Sequence, residues 1–141
     1  MRSKAEFRAM RETLGITQQR MADELCVKAL SVKRWESPAY PQQAPDDAWE
    51  LLDLLMEAQD EAVETAVDQV QRIEIEHEGK PRKVSIPYWF SQQDYDTHHH
   101  AKDGGRWTEV NATNRRLASV LRCLGYEVKW VDGRDNIVPR Q

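Results

Sequence analysis

Apolar residues recur at helical spacing in two groups within residues 7–36, and a glycine separates the groups. The first group ends at Leu14 and the second begins at Met21, with Gly15 between them. Apolar residues three and four positions apart predict amphipathic helices, and a glycine after such a group is typical of a helix C-terminus. The apolar positions are Phe7, Met10, Leu14, Met21, Ala22 and Leu25. This run limits the N-terminal part of the chain to short helices that pack on one another.

The start of the second helix and its crossing with a third helix are also visible in the run. Thr17 can cap the second helix, because its hydroxyl can accept a hydrogen bond from an unpaired amide of the first turn. Residues 25–27 then lead into a third helix that ends near Trp35 and Glu36. Ala22 supplies a small side chain where the second and third helices cross. Two short helices joined by a turn of three or four residues form a geometry that lays a helix in the major groove of DNA.

The same thirty residues resemble the helix-turn-helix of the Cro and phage-repressor class, also called XRE-like. The residues that match its pattern are Arg11-Glu12, Gly15-Ile16-Thr17-Gln18, Ala22, Leu25, Val27 and Ser31-Val32-Lys33-Arg34-Trp35-Glu36. The resemblance implies an N-terminal lambda-repressor-like helical domain that binds DNA. The turn position often filled by glycine is Cys26, so we expect a non-glycine residue in a left-handed conformation. The alternative is a small helical bundle that shares only the packing.

The resemblance also implies which residues contact DNA. The set is Gln18, Lys28, Ala29, Leu30, Ser31, Lys33 and Arg34. Gln18 is expected to bind a phosphate, and Arg34 is the best candidate for a bidentate contact to guanine. Ala29 or Leu30 could touch a thymine methyl group. Lys4 and Arg20 are either backbone contacts or solvated surface charges.

Two further residues have structural roles in the resemblance. Arg11 and Glu36 are expected to form a partly buried ion pair that locks the first helix to the end of the third. Trp35 is expected in the core rather than stacked on a base.

Charge is distributed unevenly along the chain, which is mildly acidic with a net charge of −4. Residues 1–43 contain eight Lys and Arg and five Asp and Glu, a net charge of +3. Residues 44–78 contain one Arg and twelve carboxylates, and residues 79–141 have a net charge of +4. Because phosphate binding needs a local positive face rather than a positive total, we expect the acidic belt to face away from DNA.

A proline-rich loop and a long acidic helix are predicted after the first three helices. Residues 37–44 are interrupted by prolines and predict a loop. Pro45-Asp46-Asp47 is typical of a helix start, because acidic residues there face the positive end of the helix dipole. Apolar residues then continue at helical spacing to about residue 77, and the pattern leaves open whether one helix or two form.

The C-terminal part predicts a small α+β unit within a mainly α chain. Residues 83–90 and 126–131 alternate as strands, and Pro87 suggests an edge position for the first of them. Residues 91–110 are polar with one short helix at most, and Asn111 or Thr113 is expected to cap a helix that runs to about Leu124. Two strands are marginal alone, so we expect pairing with a second copy. The predicted domains are 1–58 for DNA binding, 59–78 as an acidic helix or connector, and 79–141 for dimerization.

The layout of the whole chain also resembles two-part repressors with a C-terminal dimerization domain, such as the anti-CRISPR-associated regulators. Trp35-Glu36-Ser37 and Pro45-Asp46-Asp47 carry that likeness. The implied function is a sequence-specific transcriptional regulator, a dimeric repressor whose third helix enters the major groove of a palindromic operator in double-stranded DNA. The alternative is an antitoxin whose C-terminal half binds a toxin protein while the helix-turn-helix regulates its own operon.

Other features of the chain favour neither an enzyme nor a metal protein. Cys26 and Cys123 lack metal-type spacing and are expected to be reduced core residues. The three histidines 98–100 are expected in a solvated loop, with weak metal capture as the alternative. Glu127 and Lys129 match half of a nuclease site, but no supporting Asp is evident on a preceding strand. We expect no catalytic residues, no metal, no cofactor and, because apolar runs are short, a cytoplasmic protein without membrane contact.

Overall fold

The computed structural model describes residues 2–78, 82–99 and 103–135 of the chain. The chain divides into two compact units, Met1–Asp60 and Glu61–Gln141. In the order of the chain, the elements are α1 Lys4–Leu14, α2 Gln18–Leu25, α3 Ala29–Glu36, α4 Asp46–Glu76, β1 Lys83–Tyr88, α5 Gln92–His98, α6 Trp107–Cys123, β2 Glu127–Asp132 and a 3-10 turn Gly133–Asp135. The predicted fold class is confirmed at this level: the described chain is mainly helical, with a small sheet in its C-terminal part.

The helix ends of the first unit follow the local signals in the sequence. The Ser3 hydroxyl accepts a hydrogen bond from the Glu6 amide at 3.0 Å and so caps α1. Gly15 ends α1 in the left-handed conformation, with φ of 68°. The Thr17 hydroxyl accepts a hydrogen bond from the Arg20 amide at 3.0 Å, as predicted for the cap of α2.

An aromatic cluster forms the centre of the first unit. The ring of Phe7 meets Trp35 and Trp49 edge-on, with centroids 6.2 and 5.2 Å apart, a favourable geometry for aromatic pairs. The predicted core position of Trp35 is confirmed. The first turns of α4 complete this core, because Ala48 and Leu52 are fully buried against it. One continuous helix spans Asp46–Glu76, which answers the question that the apolar pattern left open.

The second unit is built on two parallel strands. Val84 pairs with Val128, and Ile86 pairs with Trp130. Because the strands are parallel, the chain must cross between their ends, and α6, with 17 residues, is the longest element of that connection. The core beside the sheet consists of Ile86, Ala118, Leu121 and Tyr126, with Val67 and Val70 of α4 packed against it. Residues of the segment predicted as a connector thus contribute to this core.

A second buried group in this unit surrounds Trp89, and it corrects the prediction for α6. The helix begins at Trp107 rather than at a cap formed by Asn111 or Thr113. Asn111 is buried instead, and its side chain bonds to both backbone groups of Trp89. Its Oδ1 accepts from the Trp89 amide at 2.9 Å, and its Nδ2 donates to the Trp89 carbonyl at 2.8 Å. The capping residue type is therefore used for a long-range contact.

The short helix allowed within residues 91–110 forms as α5. The solvated loop predicted for histidines 98–100 is right in the exposure of His98 and wrong in its conformation, because His98 is helical. His98 ends α5, and the ring of His99 stacks on Tyr95 with centroids 4.3 Å apart. Burial and a hydrogen bond from its hydroxyl to Asp103 raise the pKa of Tyr95. His100 lies outside the described residues. This segment folds because Ser91 caps α5 and Tyr95 anchors it against Trp89.

The cysteine prediction is half right. Both Cys26 and Cys123 are free thiols, but both are exposed rather than buried in a core. Cys26 follows the end of α2, and Cys123 is the last residue of α6. A small side chain at such a surface position needs no packing partner.

Candidate nucleic-acid interface

Helices α2 and α3 are joined by the three residues Cys26, Val27 and Lys28. Cys26 adopts the left-handed conformation expected at this turn, with φ of 56° and ψ of 42°. Its amide donates to the carbonyls of Ala22 and Asp23, and the Val27 amide donates to Ala22 at 3.0 Å. These bonds use the free carbonyls at the end of α2, so the turn is compact enough for α3 to pack across α2.

The two sides of α3 differ in chemistry. Its inner side buries Val32, Trp35 and Glu36 in the first unit. Its outer side carries Leu30, which is 47% exposed, and Lys33, which is also exposed. The remaining predicted contacts lie around the start of the helix and beside this face, with Lys28 exposed and Ala29, Ser31 and Arg34 partly exposed. The predicted set on α3 therefore faces solvent, wholly or in part.

A buried ion pair joins the ends of α1 and α3. Arg11 Nε donates to Glu36 Oε2 at 2.6 Å, and Arg11 Nη2 donates to Glu36 Oε1 at 2.9 Å. A third donor, Arg11 Nη1, bonds to the Ile16 carbonyl at 2.9 Å. This two-point pairing is the strong geometry for guanidinium and carboxylate groups, and it holds α1 against the C-terminal end of α3.

Gln18 belongs to the same network, which changes its expected part in binding. Its Nε2 donates to Glu36 Oε1 at 2.6 Å. Because this amide nitrogen carries two hydrogens, a phosphate contact from Gln18 would use the second one while the first stays bonded to Glu36. The bond to Glu36 therefore limits the directions in which Gln18 can reach a phosphate, and backbone amides at the start of α2, which the helix dipole makes good anion donors, can share that contact.

Lys4 has a structural role that differs from both sequence predictions, which were a contact to the DNA backbone and a solvated surface charge. Its Nζ donates to the carbonyl of Arg34 at 2.7 Å and also contacts the carbonyls of Trp35 and Gln42. A lysine near the last carbonyls of a helix satisfies acceptors that have no partner within the helix. Lys4 thus ties α1 to the end of α3 and to the loop after it. Arg20, for which the sequence left the same two roles open, forms an ion pair with Glu24.

Arg34 lies beside an aromatic ring that the sequence reasoning did not connect with it. Its guanidinium carbon is 5.7 Å from the ring centroid of Tyr40, a distance at which a cation interacts with the ring face. The ring limits the directions that the long Arg34 side chain can take. Spacing alone gave no sign of this contact, because Tyr40 lies in the loop after α3.

Val27 is a second residue that the sequence reasoning missed. It is exposed in the turn, directly before Lys28, although the resemblance assigned it only as a matching pattern residue. Together with Leu30 it adds an apolar element to a basic surface. Its exposure depends on the left-handed turn at Cys26, which residue type alone did not reveal.

The charges on this surface are not cancelled by neighbours. Among the described residues, the ion pairs of the first unit involve Arg2, Arg8, Arg11 and Arg20 but not Lys28, Lys33 or Arg34. Three positive groups are therefore available at and around α3. This arrangement can attract a polyanion by charge and contact its apolar groups through Leu30 and Val27.

Other candidate chemistry does not assemble in the described part of the chain. Residues 2–78, 82–99 and 103–135 contain no cluster of three His, Cys, Asp or Glu side chains suited to a metal ion. Glu127 lies beside Lys83 at 3.9 Å on the exposed side of the sheet, and Asp94 and Asp96 lie on α5. Among the described helices, none is both long and apolar enough to cross a membrane.

No protein-family model matches this chain, and no curated protein matches it significantly in sequence.

Proposed function

We propose that this protein is a sequence-specific DNA-binding transcriptional regulator that acts as a dimeric repressor. In this proposal α2 and α3 form a helix-turn-helix, and α3 enters the major groove of one half of a palindromic operator. The observation that carries the proposal is the surface at and around α3, where Lys28, Lys33 and Arg34 lie without ion-pair partners among the described residues and beside the exposed Leu30. Lysine side chains match phosphates, arginine side chains match guanine edges, and leucine side chains match thymine methyl groups.

The arrangement inside the first unit supports the same proposal. Base readout requires a helix whose position does not change when its outer side chains bind. Lys4 and Arg11 hold the two ends of α1, and Gln18 holds the start of α2, to Glu36 and the last carbonyls of α3. None of these bonds uses the side chains of Lys28, Leu30, Lys33 or Arg34, so those side chains stay available to a ligand.

Arg34→Ala tests the guanine contact. We expect a loss of about 1–3 kcal/mol in binding to the selected operator, with relaxed preference at one base pair. The matched control is Arg8→Ala, which removes an exposed arginine of α1 that pairs with Glu12. Fluorescence anisotropy with operator and random duplexes measures both variants. An operator affinity that Arg34→Ala leaves unchanged would contradict the assignment.

Leu30→Ala tests the apolar contact. Replacing thymine by uracil in the operator removes the methyl group, and we expect a loss of about 1 kcal/mol for the wild-type protein at the contacted position. Leu30→Ala should bind the two operators equally. Equal binding of both operators by the wild-type protein would instead remove Leu30 from base recognition.

A further inference from the structure

The guanidinium group of Arg34 has only part of its donors open to a ligand. Nε is the guanidinium nitrogen of Arg34 that is buried without a hydrogen-bond partner among the described residues. No carboxylate of the described chain forms an ion pair with this group. Because the donors of a guanidinium lie in a fixed plane, burial of Nε leaves the two terminal nitrogens to a ligand. Two parallel donors are the geometry that pairs with O6 and N7 of guanine.

The same guanidinium lies beside the ring of Tyr40, and both side chains are partly buried. Its carbon is 5.7 Å from the ring centroid. A cation within about 6 Å of an aromatic face is attracted by the ring, and the attraction grows as water is excluded. Arginine is among the side chains with the most rotamer freedom to lose. The ring therefore restricts a side chain that would otherwise sample many directions.

Tyr40 can support Arg34 because its own loop is folded. The Tyr40 amide donates to the Ser37 carbonyl at 3.3 Å, which closes a turn before the ring. After the ring, Lys4 Nζ donates to the Gln42 carbonyl. The same Nζ donates to the Arg34 carbonyl at 2.7 Å. One lysine thus connects the segment that carries the ring to the helix turn that carries the guanidinium.

We propose that Tyr40 is a positioning residue that sets the preference for guanine at the base pair contacted by Arg34. This inference rests on the proposed function, since it concerns the same surface of α3. The ring orders Arg34 before DNA binds, so less rotamer freedom is lost in the complex. An arginine free to rotate could instead pair with a phosphate, a contact that carries no sequence information. Tyr40 therefore strengthens specific binding and not non-specific binding.

NMR relaxation of the Arg34 Nε–Hε bond, in the full-length chain without DNA, tests the support itself. The signal is assigned by its absence in Arg34→Ala. We expect a high order parameter in the wild-type protein and in Tyr40→Phe, which keeps the ring. It should fall in Tyr40→Leu and Tyr40→Gln, which lack the ring. Gln43→Leu is the matched control, because Gln43 is exposed in the same loop, and it should change nothing. An order parameter that both ring-free variants leave unchanged would overturn the proposal.

Fluorescence anisotropy with two duplexes tests the effect on base preference. The duplexes are the selected operator and the same operator with an adenine–thymine pair at the position where Arg34→Ala loses preference. We expect Tyr40→Leu and Tyr40→Gln to lower the ratio of the two affinities about two- to tenfold. Tyr40→Phe should keep the wild-type ratio, and random duplexes should bind all variants equally. In the Arg34→Ala background, loss of the ring should change nothing, because the ring acts only through the arginine.

The outcomes separate positioning from a merely structural role. A structural Tyr40 would weaken binding to all duplexes alike and would keep its effect in the Arg34→Ala background, and either result would overturn the proposal. A stronger guanine preference in the ring-free variants would also overturn it, because the ring would then hold Arg34 away from the base. Circular dichroism verifies that each variant is folded. A wild-type protein without base preference would overturn the proposed function together with this proposal, whereas a wild-type preference that the ring-free variants keep would overturn this proposal alone.

Discussion

A buried polar side chain joins distant segments in each unit of this protein, Glu36 in the first unit and Asn111 in the second, and the two differ in charge. Glu36 in the first unit accepts hydrogen bonds from Arg11 and Gln18, which lie on two other helices or their ends. Asn111 in the second unit bonds to both backbone groups of Trp89. A buried carboxylate depends on the cation beside it, whereas a neutral amide needs only matching donors and acceptors. Loss of the Glu36 side chain should therefore lower the free energy of unfolding more than loss of the Asn111 side chain.

The largest effect is expected from Glu36→Ala. The substitution leaves the Arg11 guanidinium, which is mostly buried, without its carboxylate, and we expect the free energy of unfolding to fall by about 3 kcal/mol. Urea unfolding, followed by circular dichroism, measures this change. Glu12→Ala is the control, because Glu12 forms an exposed pair with Arg8, and it should cost less than about 1 kcal/mol. Similar losses in the two variants would show that burial adds nothing to the contribution of the pair between Arg11 and Glu36.

A smaller effect is expected from Asn111→Ala in the second unit. The amide and carbonyl of Trp89 would lose their partners in a buried place, at a cost of about 2 kcal/mol. Asn114→Ala is the matched control on the same helix, because the Asn114 side chain makes one part-buried hydrogen bond, to the Pro87 carbonyl. We expect it to cost about 1 kcal/mol or less. An Asn111→Ala variant as stable as Asn114→Ala would show that the paired hydrogen bonds contribute little.

The smallest effect concerns the turn between α2 and α3. Cys26 has a φ of 56°, a conformation that costs a residue with a side chain but not a glycine. Cys26→Gly should raise the free energy of unfolding by up to about 1 kcal/mol, after the greater chain entropy of glycine is subtracted. Cys26→Ala keeps a Cβ atom and should not stabilise the protein. Thermal unfolding of both variants gives the comparison, and stabilisation by alanine alone would contradict it.

The first unit follows its sequence more closely than the second because its decisive signals are local. Gly15 and Thr17 act within a turn of their own helices, so spacing and residue type were enough to predict the helix ends. The same information was not enough for Lys4, whose three carbonyl partners come together only after α3 and the following loop have folded.

In the second unit the decisive contacts join residues far apart in the chain. Asn111 has the residue type of a helix cap, and nothing near it in sequence shows that Trp89, twenty-two positions earlier, takes its side chain. The two strands were predicted from their alternation, but their parallel pairing depends on how the intervening segment crosses the sheet. The exposed position of Cys123 depends in the same way on how the end of α6 is placed, as does that of Cys26 at the end of α2 in the first unit.

For the candidate site, the sequence predicted which residues lie at and around α3 but not the contacts that these residues make with other segments. Lys28, Leu30 and Lys33 are exposed because residues of the opposite helix side, such as Val32, are buried, and helical spacing contains that information. The contact of Arg34 with Tyr40 and that of Gln18 with Glu36 depend on packing between segments.

Selection of bound duplexes from a random pool by the full-length protein tests the central claim most directly. We expect an enriched palindrome whose half-sites are centred about one helical turn, or a multiple of it, apart, with binding that weakens steeply as salt is raised. Arg34→Ala should lose the preference at one position of each half-site. A pool that shows no enriched sequence, at a salt concentration where the wild-type protein still binds DNA, would contradict sequence-specific regulation by α3.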